Sequence, residues 1–328
     1  MSDNDLEQKN PLRSGGSAGW EREVLEKLAF ATLAEQRARR RWNIFFRLVT
    51  LGIIAFGIWI AAGFSDQEAE TVGPHTALIE IDGTIESGTV GAADTVIPAL
   101  NRAYTDNNSV GVILRINSPG GSPVQAGMIN DEIIRLRKEF PSKPLYVVVD
   151  EICASGGYYI AAAADKIFVN KASIVGSIGV LMEGFGFTGL MDKLGVERRL
   201  MTAGENKGFM DPFSPQSAKQ KNYAQEMLNE VHQQFIDVVR EGRGTRLKET
   251  PETFSGLFWS GSKAVEIGLA DGFGTVDSVA RDELKAEDIV DYTQHEALSE
   301  RILKKFGGAV GSGAAASAWG GAAKFSLR

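Results

Sequence analysis

Gly111-Val-Ile-Leu-Arg-Ile-Asn-Ser-Pro-Gly-Gly-Ser-Pro123 reads as a buried strand, a glycine turn and the first turn of a helix. The apolar run 111–116 is too continuous for a half-exposed strand and suits one covered on both faces. Ser122 is placed to cap the helix, and Pro123 supplies a φ already set for its first turn. The helix brings Val124, Met128, Ile129, Ile133 and Leu136 to one side and stops at Phe140-Pro141. Working outward, a strand is expected over Thr76–Ile81, closed by Asp82-Gly83, and a helix over Thr95–Tyr104. Downstream come a strand at Leu145–Val149, a short helix near Ser155–Ala164 and a strand at Ile167–Val169. Strand–helix–strand repetition gives an α/β layered fold with βαβ units. A long amphipathic helix over Ser217–Arg240 and a small one over Ser260–Leu269, before the turn Ala270-Asp271-Gly272, complete the pattern.

The 328 residues are 43% hydrophobic and 23% charged, a composition that supports a packed core. Against 35 Lys and Arg stand 42 Asp and Glu, a net charge of −7, so no nucleic-acid partner is expected. Cys153 stands alone, and His75, His232 and His295 share no ligand spacing. Neither a disulfide nor a metal centre is expected, and no motif asks for a cofactor.

Leu48–Phe64 is 17 residues without a charge. With Arg47 snorkelling to the headgroups, residues 44–64 make a helix of ~31 Å, one hydrocarbon thickness. A signal peptide cleaved near Ala61-Ala62-Gly63 is the other reading, but 47 residues precede the run, too many for an ordinary leader. Arg37, Arg39, Arg40, Arg41 and Arg47 lie before the span; Asp66, Glu68 and Glu70 lie after it. The positive-inside rule then keeps the N-terminus in the cytoplasm and exports the rest. The expected organisation is a cytoplasmic segment (1–43, with an amphipathic helix over Trp20–Leu33), a transmembrane anchor (44–64) and a linker (65–74). A folded body (75–300) and a flexible Gly/Ala-rich tail (301–328) follow.

Three places hold the ingredients of chemistry. In Asn117-Ser-Pro-Gly-Gly-Ser122 the glycines can turn amide N–H groups toward a developing oxyanion, or simply make a strand-to-helix turn. In Asp150-Glu-Ile-Cys-Ala-Ser-Gly-Gly-Tyr-Tyr159 a strand ends and a helix begins, so Ser155 is a candidate nucleophile with the Gly156 amide beside it. Ser155 as a plain N-cap is the competing reading, and Cys153 reads as a packing residue. None of the histidines sits in a plausible loop, which leaves lysine as the proton acceptor. Lys207 lies in a glycine- and aromatic-flanked loop; as a solvated surface charge it would be unexceptional.

Ser118-Pro-Gly-Gly121, Ala154-Ser-Gly-Gly-Tyr-Tyr159, Gly176-Ser-Ile-Gly179, Gly204-Glu-Asn-Lys207 and Gly268-Leu-Ala-Asp-Gly272 occur in one order over residues 75–285. Together they resemble the S49 family of serine peptidases, of the signal peptide peptidase A type. The resemblance implies a fold like the caseinolytic protease (ClpP) and crotonase group, a bacterial inner-membrane location with the body in the periplasm, and a Ser/Lys dyad. Carried over, Ser155 is the nucleophile and Lys207 the general base; Gly120 and Gly156 supply the oxyanion hole, and Ser177 orients the lysine. Lys166 and Lys193 lack the matching context. The implied substrates are cleaved signal peptides and other short hydrophobic peptides. At half the length of tandem-domain members, the chain is expected to form a homo-oligomeric ring, with Ser and Lys drawn from one subunit or from neighbours. A non-catalytic membrane scaffold of the same fold is the rival, as is a crotonase-like enolate chemistry, which an exported domain could not supply with coenzyme A. Ala314-Ala-Ala-Ser-Ala318 marks the tail as a segment the enzyme could trim.

Overall fold

The computed structural model describes residues 18–63 and 73–294, which fall into two units. The first is one helix, α1 (Ala18–Gly63), continuous through both the expected amphipathic stretch and the start of the expected anchor. Its apolar side chains from Ile44 to Phe56, among them Phe45, Phe46, Leu48 and Ile53, are exposed. Among the described residues no helix is long and apolar enough to cross a membrane. The expected anchor runs past them, however: the side chains of residues 58–63 and all of Phe64 lie outside the described residues. Most of the expected linker, His295, and the tail with its trimming site also lie outside.

The second unit alternates strand and helix. It runs β1 (His75–Asp82), α2 (Ala93–Thr105), β2 (Ser109–Ser118), α3 (Pro123–Glu139), β3 (Leu145–Ala154) and α4 (Gly156–Ala161). Then come β4 (Lys166–Val169), β5 (Ile174–Gly176), α5 (Thr188–Leu194), α6 (Ala218–Arg243) and β6 (Phe258–Ser260). The last elements are α7 (Gly261–Ile267), β7 (Gly272–Phe273), α8 (Val276–Val279) and β8 (Ile289–Asp291). One eight-stranded sheet carries the order β6-β5-β3-β2-β1-β8, with β4 pairing β3 and β7. Every pairing is parallel except β5 with β6. This is the layered α/β fold that the βαβ pattern dictates.

The helices cap where the sequence says they should. Ser122 accepts from the Gln125 N–H ahead of Pro123, and Ser217 with Gln220 forms a capping box at α6. Ile79, Ile81, Leu114, Ile116, Val147 and Val149 pack the sheet's inner face against Ile129, Ile133 and Leu136 of α3.

β3 is five residues longer than the expected Leu145–Val149. Asp150 and Glu151 interrupt its apolar pattern, yet the strand continues because its outer edge changes partner. Residues 146–148 pair with β4, and residues 152–154 pair with β5. Arg115 on β2 supports the polar step by pairing with Glu80 on β1 at 2.8 Å and with Asp150.

The end of α6 is fixed by a buried charge. Arg243 is fully buried; its Nε donates to the Gly268 carbonyl at 2.9 Å and its Nη1 to Asp271 at 2.9 Å. The Asp271 carboxylate also accepts from the Ile167 N–H at 2.7 Å and from Arg246 at 3.1 Å. Burial pushes this carboxyl up, but the Arg243 bond and charge, the Ile167 amide and Arg246 together hold it below the ordinary aspartate range.

Candidate active site

Three neighbouring parallel strands, β2, β3 and β5, deliver their C-terminal ends to one place, the edge where α/β sheets hold their ligands. Ser118-Pro-Gly-Gly follows the end of β2, Ser155 follows β3 and Ser177 follows β5. Ala154 pairs with Gly176, and the Ser155 N–H donates to the Gly176 carbonyl at 2.8 Å, so the two serines leave adjacent rungs.

Both take a backbone conformation that side chains avoid. Ser155 has φ 51° and ψ −122°, and Ser177 also has φ 51°. Such a residue costs about 1–3 kcal/mol and persists only where its surroundings enforce it. For Ser155 the enforcement is the Gly176 carbonyl on one side and α4 on the other, whose Tyr159 N–H bonds the Ser155 carbonyl at 2.9 Å. Ser155 does occupy the N-cap position of α4, but its hydroxyl makes no capping bond. The side chain stands at a sharp strand-to-helix turn with its oxygen uncommitted. For Ser177 the enforcement includes the Leu257 carbonyl, which accepts its N–H at 2.8 Å.

The glycine turn after β2 folds directly over Ser155. Gly120 has φ 103°, and a Cβ there would lie 2.7 Å from both the Gly156 nitrogen and Ser155 Cβ. At Gly121 a Cβ would lie 2.3 Å from the Ile85 carbonyl, because residues 83–85 clamp the turn through Ile85 N–H to Gly120 O and Ser122 N–H to Ile85 O. Gly120→Ala is therefore expected to displace Ser155 and to lower stability by roughly 1–3 kcal/mol, checked by thermal melting.

The two glycines of the turn differ in their bonding. The Gly120 N–H is spent on Ser118 Oγ at 3.1 Å, inside the turn. Gly121 lines the cavity beside Ser155 and Gly156 instead. A Cβ on Gly156 would lie 3.3 Å from the Gly121 nitrogen, so these two amides flank the same opening. The Gly156 N–H precedes the first intrahelical bond of α4, one of the donors a helix start leaves open.

Cys153 is fully buried, paired between Ser118 and Val175, and burial pushes its thiol far up, which suits packing and not attack. His75 stands at the opposite end of the sheet, with Nε2 3.0 Å from the Tyr292 hydroxyl. His232 bonds the Ile178 carbonyl at 3.1 Å through Nε2, next to Ser177 but turned to the backbone. Lys166 pairs with Glu283 at 2.6 Å, and Lys193 is exposed on α5, whose residues bury nothing.

Lys207 is not brought to Ser155 within the chain. It lies exposed on a turn, its N–H bonded to Gly204 O at 3.1 Å, and it does not line the cavity. The surrounding arm is exposed and apolar, with Leu181, Phe185, Leu194 and Met201 uncovered. Sequence reasoning missed the contribution of α6, whose Val231, Gln234 and Phe235 wall the Ser155 cavity. Its amphipathic period showed a buried face without saying what that face covers.

The family model for peptidase family S49 matches residues 138–290, a stretch holding Ser155, Ser177 and Lys207. A Brucella abortus (strain 2308) protein named Na(+)/H(+) antiporter NhaA is 43% identical over 216 residues, 66% of this chain and 29% of its own length. An Enterococcus faecium protein provisionally named signal peptide peptidase SppA is 35% identical over 188 residues, 57% of this chain and 54% of its own. The chain thus spans less than two thirds of either. A Synechocystis protein provisionally named a protease is 31% identical over 201 residues, 61% of this chain and 69% of its own. With strand-end serines, a glycine turn and a kinship that covers most of a relative's length, the chain belongs to peptidase family S49.

Proposed function

We propose that the chain is a membrane-anchored serine endopeptidase with a Ser155/Lys207 dyad, acting on cleaved signal peptides and other short hydrophobic peptides. The observation that carries this is the strained Ser155, whose hydroxyl makes no capping bond, lining one cavity with Gly121 and Gly156. Ser155 Oγ attacks the peptide carbonyl as a neutral Lys207 amine takes its proton. The Gly121 and Gly156 N–H groups hold the oxyanion, each worth about 3 kcal/mol in the transition state. Collapse breaks the C–N bond, the lysine ammonium protonates the departing amine, and water then hydrolyses the acyl-enzyme.

Ser177 accepts from the lysine ammonium and orients it. Because Lys207 stands apart from Ser155 in the single chain, a neighbouring subunit supplies it. The uncovered apolar arm 181–201 supports such a ring, since that much apolar surface asks for a partner. The exposed apolar length of α1 and the charges flanking it support a single-pass anchor in a bacterial inner membrane, with the N-terminus cytoplasmic and the catalytic body periplasmic. The Enterococcus relative's name supports the substrate class.

The test uses the full chain in detergent with a synthetic signal peptide, products being read by mass spectrometry. Wild type should cleave and Ser155→Ala should not, with both eluting at the same assembly size. Cleavage that survives Ser155→Ala removes the nucleophile. No cleavage by correctly assembled wild type transfers the reading to a scaffold.

A further inference from the structure

The space beside Ser155 is small, and its walls are uncharged. The cavity measures about 40 Å³ and its remaining lining is Pro123, Tyr159, Val180, Val231, Gln234 and Phe235. The Tyr159 and Phe235 rings, 5.1 Å apart between centroids, close it off. Phe235 is buried in the core, so this wall does not yield easily. Gln234, the one side chain with a polar head group on α6 here, is exposed and sits at the rim.

We infer that this cavity selects a small, uncharged side chain, of alanine to valine size, on the residue whose carbonyl Ser155 attacks. The inference rests on the peptidase reading and adds the property of the substrate that the site reads. A single water needs ~10–15 Å³ of such space, so 40 Å³ takes about three water-sized groups. That is the bulk of a valine side chain and well short of an aromatic ring. No Lys, Arg, Asp or Glu lines the cavity to pair with a charged side chain, and burying one unpaired is costly. The acyl side is assigned because its α-carbon stays attached to the carbonyl at Ser155, between Gly121 and Gly156. The amine half leaves toward the base, on the Ser177 side, which does not line this cavity.

The experiment presents the full chain in detergent with one peptide sequence carrying Ala, Val, Phe, Asp or Lys at that position. Product masses locate the cleaved bond, and a fluorophosphonate reports separately whether Ser155 is reactive. The expected result is kcat/KM for Ala and Val at least about tenfold above Phe, the scale on which a pocket rejects excess bulk, with Asp and Lys uncut. Widening the wall with Val231→Ala, or with the milder Phe235→Leu, should raise the Phe-to-Ala ratio by about tenfold, with fluorophosphonate labelling showing that Ser155 is still reactive. Equal cleavage of Phe and Ala peptides by an enzyme that labels at Ser155 overturns the inference and leaves the peptidase reading standing. A Phe-to-Ala ratio unmoved in both folded variants also overturns it. Absence of labelling together with absence of turnover for every peptide overturns the peptidase reading, and this inference with it.

Discussion

Co-assembling Ser155→Ala with Lys207→Ala chains is expected to restore peptide turnover that neither variant has alone. Each variant by itself should lose on the order of 10⁵-fold, the scale of removing one member of a group that acts as a unit. In a mixed ring, a site is intact only where a serine from one parent meets a lysine from the other. With random equimolar assembly each condition holds for half the subunits, so recovery should reach about a quarter of wild-type activity. The expectation follows from Lys207 lying exposed and outside the cavity lining while Ser155 sits half-buried in the turn between β3 and α4. A dyad closed within one chain would give no recovery at any mixing ratio. Turnover measured after unfolding and refolding the two variants together, against each refolded alone, decides it.

Arg243→Ala is expected to cost about 3–5 kcal/mol of folding stability, the scale of breaking a buried ion pair from one side. The guanidinium is fully buried and has two jobs, pairing with Asp271 and holding the Gly268 carbonyl. Removing it leaves a carboxylate whose remaining cation, Arg246, is partly exposed. The pH dependence follows from the depressed Asp271 carboxyl. In the wild type its stabilisation is complete above the unfolded aspartate pKa, near 3.9, and is lost as pH falls through the lower folded value. Without Arg243 burial dominates and favours the protonated form, so acid helps the variant over a range in which the wild-type contribution of Asp271 is unchanged. The gap between the two unfolding midpoints in urea should therefore narrow as pH falls from 7 toward 4. A gap that widens would mean Asp271 is not the group responding.

Some of this molecule was legible in the chain because local rules and tertiary packing agree. β2, the Ser122–Pro123 start of α3 and the α6 capping box each combine an apolar period with a fitting cap. Where they disagree, packing wins. The last five residues of β3 are strand because β5 and Arg115 hold them, against the polarity of Asp150-Glu151. β7 and β8 are two and three residues long and exist only through their partners β4 and β1, so no pattern in the chain could mark them. The same contrast runs through the site. Ser155 and Ser177 stand at strand ends that glycine-rich junctions advertise. That the Gly120 amide is engaged by the Ser118 hydroxyl while Gly121 lines the cavity is a contact one residue wide, which no pattern in the chain marks. Lys207 carries no local mark of the role proposed for it, and only its motif singles it out.

Because Ala154 pairs with Gly176 and the Ser155 N–H closes the next bond onto that same glycine, the two strand-end serines are spaced by a rung of main-chain hydrogen bonding. Their separation is a property of the peptide backbone, independent of the identity of the side chains around them. Lineages that keep these two strands in register inherit the spacing without having to select for it. Drift in the neighbouring cavity walls can then change that space while the geometry between Ser155 and Ser177 stays fixed.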